Sequence, residues 1–94
     1  MSHDEVELSS TVEKKLKKVP KHIVIKLLAW VSDIAREGLK EVQTRPGFHD
    51  EPLQGKRSGQ RSIRLSRSYR AIYLVAKMEH RNRIKVIEVN KHEY

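Results

Sequence analysis

Cysteine is absent from this chain, which excludes a disulfide framework, thiolate metal sites and a cysteine nucleophile. Long apolar runs are absent as well, because no segment approaches the length of about 18 apolar residues that a membrane-spanning helix needs. The first five residues, MSHDE, are mostly polar or acidic, which does not fit a secretory signal peptide. We therefore expect a cytoplasmic protein without a membrane partner.

Metal-ligand and phosphate-loop motifs are also missing. The five histidines have no spacing typical of a metal site, such as two histidines separated by three residues. Gly55 and Gly59 flank a basic tripeptide, but the strand and helix context of a phosphate-binding loop is missing around them. The sequence therefore predicts no metal site and no cofactor.

The positive charge of the chain, +8 with neutral histidines, is concentrated in one third of its length. Residues 55–85 contain ten basic residues and one acidic residue, whereas the remaining residues contain ten basic and eleven acidic ones. Seven of the ten are arginines, whose planar guanidinium suits phosphate better than the lysine ammonium does. This asymmetry favours a face that binds a polyanion over a merely solvated strand surface.

Helical periodicity dominates the first half of the chain. After a short alternating segment at residues 5–9, Ser10 or Thr11 is expected to cap a short, very basic helix over residues 12–18. Residues 20–38 then repeat apolar side chains, including a tryptophan expected in the core, at steps of three and four. This wide apolar face is typical of a helix packed on a sheet.

The second half changes to the alternation of strands, at residues 62–66, 69–76 and 83–90. Because short turns join these strands, they pair as an antiparallel meander. The 94 residues suit one domain, residues 1–94, since no repeat or linker divides them. We predict an α+β fold of order β-α-α-β-β-β, in which two helices cover one face of a curved antiparallel sheet. Arg64 projects from the uncovered face.

Four residues supply the groups that metal-free RNA cleavage needs: a base, a cation for the phosphorane and an acid. They are Glu51 in a loop, Arg70 inside the central strand, and His92 and Tyr94 at the end of the chain. Each also fits a purely structural role. Glu51 fits an exposed loop acid, Arg70 a side chain that reaches the sheet edge, and the terminal pair a frayed tail.

The segments D-E-P-L-Q-G from Asp50, S-I-R-L from Ser62, Y-R-A-I-Y from Tyr69 and the terminal K-H-E-Y resemble the RelE/ParE superfamily of type II toxins. The nearest pattern is that of RelE/HigB-like mRNA interferases with a YoeB-like active site. The resemblance spans essentially the whole chain. It implies a RelE-like fold, ribosome-dependent cleavage of mRNA in the A site without a metal, inhibition of translation, and a tightly bound cognate antitoxin.

The same resemblance implies a role for each candidate catalytic residue. Glu51 corresponds to the general base, Arg70 to the phosphate-stabilising group, His92 to the general acid, and Tyr94 to a base-stacking or orienting group. Glu93 separates the last two, whereas YoeB-like chains have the histidine directly before the tyrosine. We expect the remaining basic residues to contact phosphates of ribosomal and messenger RNA: Lys14, Lys15, Lys17, Lys18, Lys56, Arg57, Arg61, Arg64 and Arg67.

Two other functions remain open at this point. A ParE-like protein would inhibit DNA gyrase and cleave nothing, although such chains generally lack the terminal catalytic residues. An inactive relative would only bind nucleic acid or an antitoxin. With a net charge of +8 on 94 residues, we expect the free chain to be a monomer, because copies repel one another.

Overall fold

After one short strand, helices occupy the first half of the chain and strands the second, as the change of apolar period predicts. The protein is described by a computed structural model, which covers residues 2–91. Its elements are, in chain order, β1 (Glu5–Leu8), α1 (Ser10–Leu16), α2 (Lys21–Glu37), α3 (Leu39–Gln43), β2 (Glu51–Pro52), β3 (Arg61–Arg64), β4 (Tyr69–Lys77) and β5 (Asn82–Lys91). Two short 3-10 turns, Pro46–Phe48 and Gly55–Arg57, flank β2. The α+β class is confirmed.

The strands form one sheet in the order β1-β5-β4-β3-β2. β2 to β5 pair antiparallel, as the short turns require, but β1 lies parallel to β5, with Val6 opposite Ile84. The expectation of a wholly antiparallel sheet is therefore wrong at this edge. Only strands joined by short turns are forced to be antiparallel, and the helices that follow β1 form a crossover that permits a parallel neighbour.

Two further elements differ from the sequence prediction. Glu51–Pro52, expected in a loop, forms the edge strand β2, and α3 adds a third helix because Gly38 ends α2 at φ 87°. The cap of α1 is Ser9 rather than Ser10 or Thr11, since the Ser9 side chain accepts a hydrogen bond from the backbone N–H of Val12.

No helix within residues 2–91 has both the length and the apolar character to cross a membrane.

The core lies between α2 and the sheet. The α2 side chains that recur at steps of three and four are fully buried: Ile23, Leu27, Trp30 and Ile34. The Trp30 ring packs against Tyr73 of β4, with 5.1 Å between the ring centroids and a tilt of 51°. The prediction that Trp30 belongs to the core is confirmed, and burial of each such side chain stabilises the fold by about 1.5–3 kcal/mol.

A β-bulge changes the phase of β5. The register shifts between Ile72 and Tyr73 of β4, so that the buried positions of β5 are Ile84 and Val86 before the shift and Val89 after it. One extra residue in a strand moves all later side chains to the other face. The bulge therefore places Glu88 and Asn90 of β5 on the face away from the helices.

The carboxylate of Asp4 ties three distant segments together. Its Oδ2 accepts a hydrogen bond from the Leu39 backbone N–H at 2.8 Å, and its Oδ1 accepts one from the Asn82 backbone N–H at 2.7 Å. The Asn82 side-chain amide donates a further bond at 3.3 Å. Partial burial favours the neutral acid, but these bonds outweigh it and hold the pKa of Asp4 below its usual value.

Replacing Asp4 with alanine should lower the free energy of unfolding by about 1–3 kcal/mol at pH 7, because hydrogen bonds to a charged group are lost. Since folding lowers the pKa of Asp4, its contribution is complete above the ordinary pKa of an aspartate. The contribution is lost as the pH falls through the folded-state pKa. Urea unfolding of both proteins at pH 7 and at pH 3 measures this.

The matched control is Glu7→Ala, because the Glu7 carboxylate lies on the surface, 3.9 Å from Lys85 Nζ. An exposed pair of this kind contributes at most about 1 kcal/mol. If the free energy of unfolding differs between wild type and Asp4→Ala by the same amount at pH 7 and at pH 3, the stabilising role of the ionised Asp4 carboxylate is contradicted.

Candidate active site on the open face of the sheet

The face of the sheet opposite the helices, called the open face below, collects the central candidates. In the register of β3 and β4, Arg64 lies directly opposite Arg70, so the two side chains share this face. At the sheet edge, Glu51 of β2 lies opposite Ser62 of β3, which lies opposite Ile72. Because Ile72 is two residues from Arg70, this row belongs to the same face. Glu51, Arg64 and Arg70 thus lie together on the open face.

Glu51 and Arg70 form an ion pair, with 3.4 Å between Arg70 Nη1 and Glu51 Oε1. The Glu51 side chain is 57% exposed and the Arg70 side chain 27% exposed, so the carboxylate is accessible beside a half-buried guanidinium. Pairing of β2 with β3, rather than an irregular loop, sets the backbone position of Glu51. The pair offers a proton acceptor next to a fixed positive charge.

A second guanidinium, that of Arg64, belongs to the neighbouring position on β3. Side chains that lie opposite each other in an antiparallel pair are about 4.5–5.5 Å apart at Cβ, so the like charges of Arg64 and Arg70 repel. A phosphate between them would relieve this repulsion, because each guanidinium can donate two parallel hydrogen bonds to its oxygens. The open face therefore has the charge pattern of a phosphate site.

The segment of residues 53–60 lies over part of the open face. Arg57 forms an ion pair with Glu88 of β5, and its Nε donates to Gln60 Oε1 at 2.9 Å. The row of opposite residues that begins at Glu51 continues through Ser62 and Ile72 and ends at Glu88. The Arg57 side chain therefore spans the strands between Glu51 and Glu88. Ser62, in that row, is only 2% exposed. Arg57 thus holds this segment against the sheet.

The predicted RNA contact Arg61 lies on the other side of the sheet. It is opposite Tyr73, whose ring packs in the core, and its Nε donates to Asp50 Oδ1 at 2.7 Å. The Asp50 side chain is completely buried. Because its charge is already paired on the helix-covered side, we assign Arg61 to this structural network and remove it from the phosphate contacts of the open face.

Asp50 is the centre of that network. The Tyr73 hydroxyl donates to Asp50 Oδ2, and Gln43 Nε2 of α3 donates to Tyr73 Oη at 3.0 Å. Burial and the bond to Asp50 raise the pKa of the Tyr73 phenol far above its ordinary value. Partial burial lowers the pKa of Arg61, but the hydrogen bond to Asp50 and the charge of Asp50 outweigh this and raise the pKa of Arg61 above its ordinary value. The network is therefore an anion held between a cation and a neutral phenol.

The remaining predicted residues lie around the open face or on α1. Lys56 and Arg67 are exposed in the connections on either side of β3. Lys14 and Lys15 belong to the last turn of α1, followed by Lys17 and Lys18, and Lys15 Nζ donates to Asn90 Oδ1 at 3.2 Å. The catalytic predictions for His92 and Tyr94 lie outside the described residues. Among residues 2–91, no group of three histidines or carboxylates could hold a metal ion.

Three polar residues near the site escaped the sequence analysis: Asp50, Glu88 and Asn90. The sequence does not show which of the adjacent carboxylates, Asp50 and Glu51, is buried, because this depends on the face to which each side chain points. Asn90 lies opposite Arg70, and its Nδ2 donates to Glu88 Oε1 at 2.8 Å. The phase change in R-I-K-V-I-E-V-N was the available signal, because polar residues move from odd to even positions within this strand.

Comparison with known proteins identifies the family. The family model described as the ParE toxin of the type II toxin-antitoxin system parDE matches residues 6–93. The chain belongs to the ParE toxin family. It is thus a type II toxin of the RelE/ParE superfamily, as the sequence motifs predict. No curated protein has a sequence that matches this toxin at a significant level.

Solved structures of related toxins share its fold. A YoeB/ParE toxin from Agrobacterium tumefaciens has a TM-score of 0.71 at 18% identity, with 95% of this chain and 99% of the other covered. The toxin-antitoxin complex RelBE2 from Mycobacterium tuberculosis gives 0.67 at 24% identity, with 94% and 96% covered. The YoeB-YefM complex from Staphylococcus aureus gives 0.67 at 21% identity, with 98% and 100% covered. The predicted RelE-like fold is confirmed.

Replacing Asp50 with asparagine should lower the free energy of unfolding by about 2–4 kcal/mol, because Arg61 then lacks its counter-charge. The loss should be smaller in Tyr73→Phe, about 1–2 kcal/mol, since only one hydrogen bond disappears. Chemical denaturation at pH 7 measures both values. Glu79→Gln is the matched control, because this carboxylate is exposed and, within residues 2–91, pairs only with His80 at 3.9 Å. Wild-type stability of Asp50→Asn would show that the network is not needed for folding.

Proposed function

We propose that this toxin is a metal-independent endoribonuclease that cleaves messenger RNA in the ribosomal A site and thereby inhibits translation. The observation that carries the proposal is the accessible Glu51 carboxylate 3.4 Å from the Arg70 guanidinium, with Arg64 beside them. The motif resemblance assigns the same two residues to the base and to the phosphate-stabilising group. Two independent arguments therefore point to the same pair.

The pair supplies two of the three parts of the reaction. Glu51 accepts the proton of the 2′-hydroxyl, whose oxygen then attacks the adjacent phosphorus. Arg70, with Arg64 next to it, stabilises the negative charge that develops on the phosphorane oxygens. The 5′-oxygen of the leaving nucleotide must gain a proton, and the resemblance gives this task to His92, with Tyr94 as the base-stacking or orienting group. The products are a cyclic phosphate and a free 5′-hydroxyl.

Other basic residues contribute affinity rather than chemistry. Lys56 and Arg67 are exposed next to β3, and four lysines lie in or directly after α1. Contacts of this kind neutralise phosphates and release counterions, so each loss weakens binding and reduces its salt dependence. They would hold the toxin on ribosomal and messenger RNA while Glu51 and Arg70 act on the scissile phosphate.

A second candidate function is inhibition of DNA gyrase without cleavage of RNA. The match to the ParE toxin family favours it, because the family is named for the toxin of parDE. The Glu51–Arg70 pair favours the nuclease, since a protein that only binds gyrase has no need of a base beside a phosphate-binding cation. Primer extension on mRNA from cells that express the toxin separates the two. Discrete breaks within codons support cleavage, whereas intact mRNA with gyrase-linked DNA damage supports inhibition.

Substitution of the pair should affect chemistry rather than binding. Glu51→Gln and Arg70→Ala should each reduce single-turnover cleavage on a programmed ribosome by roughly 10²–10⁴, because both act on charge that develops in the transition state. Ribosome affinity, measured in parallel, should change little. Glu7→Gln is the matched control, because Glu7 on β1 pairs with Lys85 at the opposite edge of the sheet. Cleavage at the wild-type rate by Glu51→Gln and Arg70→Ala would leave only a basic binding domain.

The partner that restrains the toxin is an antitoxin protein. The RelBE2 and YoeB-YefM structures are toxin-antitoxin complexes on the same fold, which supports such a partner here. The excess positive charge of residues 55–85 suits an acidic or amphipathic segment that wraps over the open face. Without the antitoxin, the expectation of a monomer stays a prediction.

Binding of the antitoxin should cover the basic part of the open face. Arginine-selective labelling of the free toxin and of its complex tests this, with modified residues identified by mass spectrometry. Arg64, Arg67 and Arg70 should be protected in the complex. Arg81, in the distant turn before β5, serves as an internal control that stays reactive. A complex in which residues 61–70 react as in the free toxin would contradict the prediction.

A further inference from the structure

A cavity lies on the other side of the sheet from the Glu51–Arg70 pair. It has a volume of about 380 Å³ and is lined by Lys14, Lys15, Lys18, Val19, Tyr69 and Lys91. Tyr69 and Arg70 are consecutive in β4, so their side chains point to opposite faces of the sheet. The cavity is therefore separate from the ion pair but adjacent to it along the chain.

Positive charge dominates the described lining of this cavity. Its six described residues include four lysines and no carboxylate. Lys14 and Lys15 lie in the last turn of α1, and Lys18 lies in the turn that follows it. Lys15 donates a hydrogen bond to the neutral amide of Asn90. No carboxylate of the described lining offsets this positive charge, whereas an anionic ligand would.

The floor of the cavity is apolar and aromatic. Val19 is buried, and the half-buried Tyr69 ring packs against the core cluster while still lining the cavity. Every nucleobase has a face that can stack on an aromatic ring, and its flanking phosphates suit lysines. An acidic side chain would use the lysines alone, whereas one nucleotide uses both the lysines and the ring.

We propose that this cavity binds one nucleotide of the messenger strand, with the base stacked on Tyr69 and the phosphates held by Lys14 and Lys18. The inference rests on the proposed function, because the strand whose nucleotide enters the cavity also presents its scissile phosphate to Arg70. Lys15, which lines the cavity, donates to Asn90, and Asn90 lies opposite Arg70, so the cavity adjoins the ion pair at this end of the sheet and one strand can contact both.

The test measures binding away from the ribosome, with a fluorescent RNA trinucleotide that is 2′-O-methylated so that it cannot be cleaved. A second probe has the same backbone but lacks the central base. Fluorescence anisotropy with wild-type toxin should show about 5- to 100-fold tighter binding of the probe with the base. Tyr69→Leu should abolish this difference, whereas Tyr69→Phe keeps the ring and should retain it.

The lysines should behave differently from the ring. Lys14→Ala and Lys18→Ala should weaken binding of both probes alike and reduce the slope of log affinity against log salt by about 0.7 each. Lys21→Ala is the matched control, because this lysine is exposed on α2 and does not line the cavity. Equal affinity of wild-type toxin for both probes, or base preference retained in Tyr69→Leu, would overturn the proposal.

The same variants separate this inference from the proposed nuclease. If wild-type toxin cleaves ribosome-bound mRNA but shows no base preference, the nuclease stands and the nucleotide site is wrong. If the toxin prefers the probe with the base in a Tyr69-dependent way but cleaves nothing, the site stands as a nucleotide-binding site and the nuclease is wrong. If both hold, Tyr69→Leu should weaken the apparent affinity for substrate while Glu51→Gln weakens only the rate.

Discussion

The buried carboxylate of Asp50 is the constraint on which the rest of the site depends. A charge with no exposure to water is tolerated only when it is paired, and here Arg61 and Tyr73 supply the partners. Through Tyr73 the network reaches Gln43 of α3, so one helix and two strands are bonded around a single anion. Because Glu51 follows Asp50 directly, this anion fixes the point at which the chain enters β2.

Because side chains alternate between the two faces of extended backbone, one residue can contact the core while its neighbour lies on the open face. Asp50 points into the network on the helix-covered side, and Glu51 points to the open face, where it meets Arg70. Tyr69 likewise packs against the core cluster while Arg70 lies on the other face. The same period of two therefore lets each strand anchor one side chain in the fold and present the next to a ligand. A shift of register by one residue would move the core side chains to the open face and the open-face side chains to the core.

The periodic part of the fold could be predicted from sequence, and the part set by tertiary contacts could not. Steps of three and four identified α2, and alternation identified the antiparallel meander. The parallel pairing of β1 escaped prediction because a strand followed by helices carries no local signal for its neighbour or direction. The edge strand β2 escaped because a strand of two residues, one of them a proline, has no period to read.

Part of the candidate site could likewise be predicted from sequence, and part depends on contacts made only in the folded protein. Glu51 and Arg70 could be proposed from motif and charge, and the structure brings their side chains into contact. The place of Arg61 could not be read from composition, because every arginine in a basic segment looks alike until its face is known. The ion pair of Arg57 with Glu88 joins residues far apart in sequence, and only the folded sheet brings them together.

The energetics of the ion pair give a reason to connect it with function rather than with stability. An exposed pair contributes about 0–1 kcal/mol to folding, and Glu51 is more than half exposed. The fold therefore does not need this contact, whereas it does need Asp50 one residue earlier. The neighbouring Arg64 adds a repulsion that the folded protein must bear. A cluster that stabilises the free protein little, yet places an accessible carboxylate beside two neighbouring arginines, fits the proposed reaction at a phosphate better than a structural role.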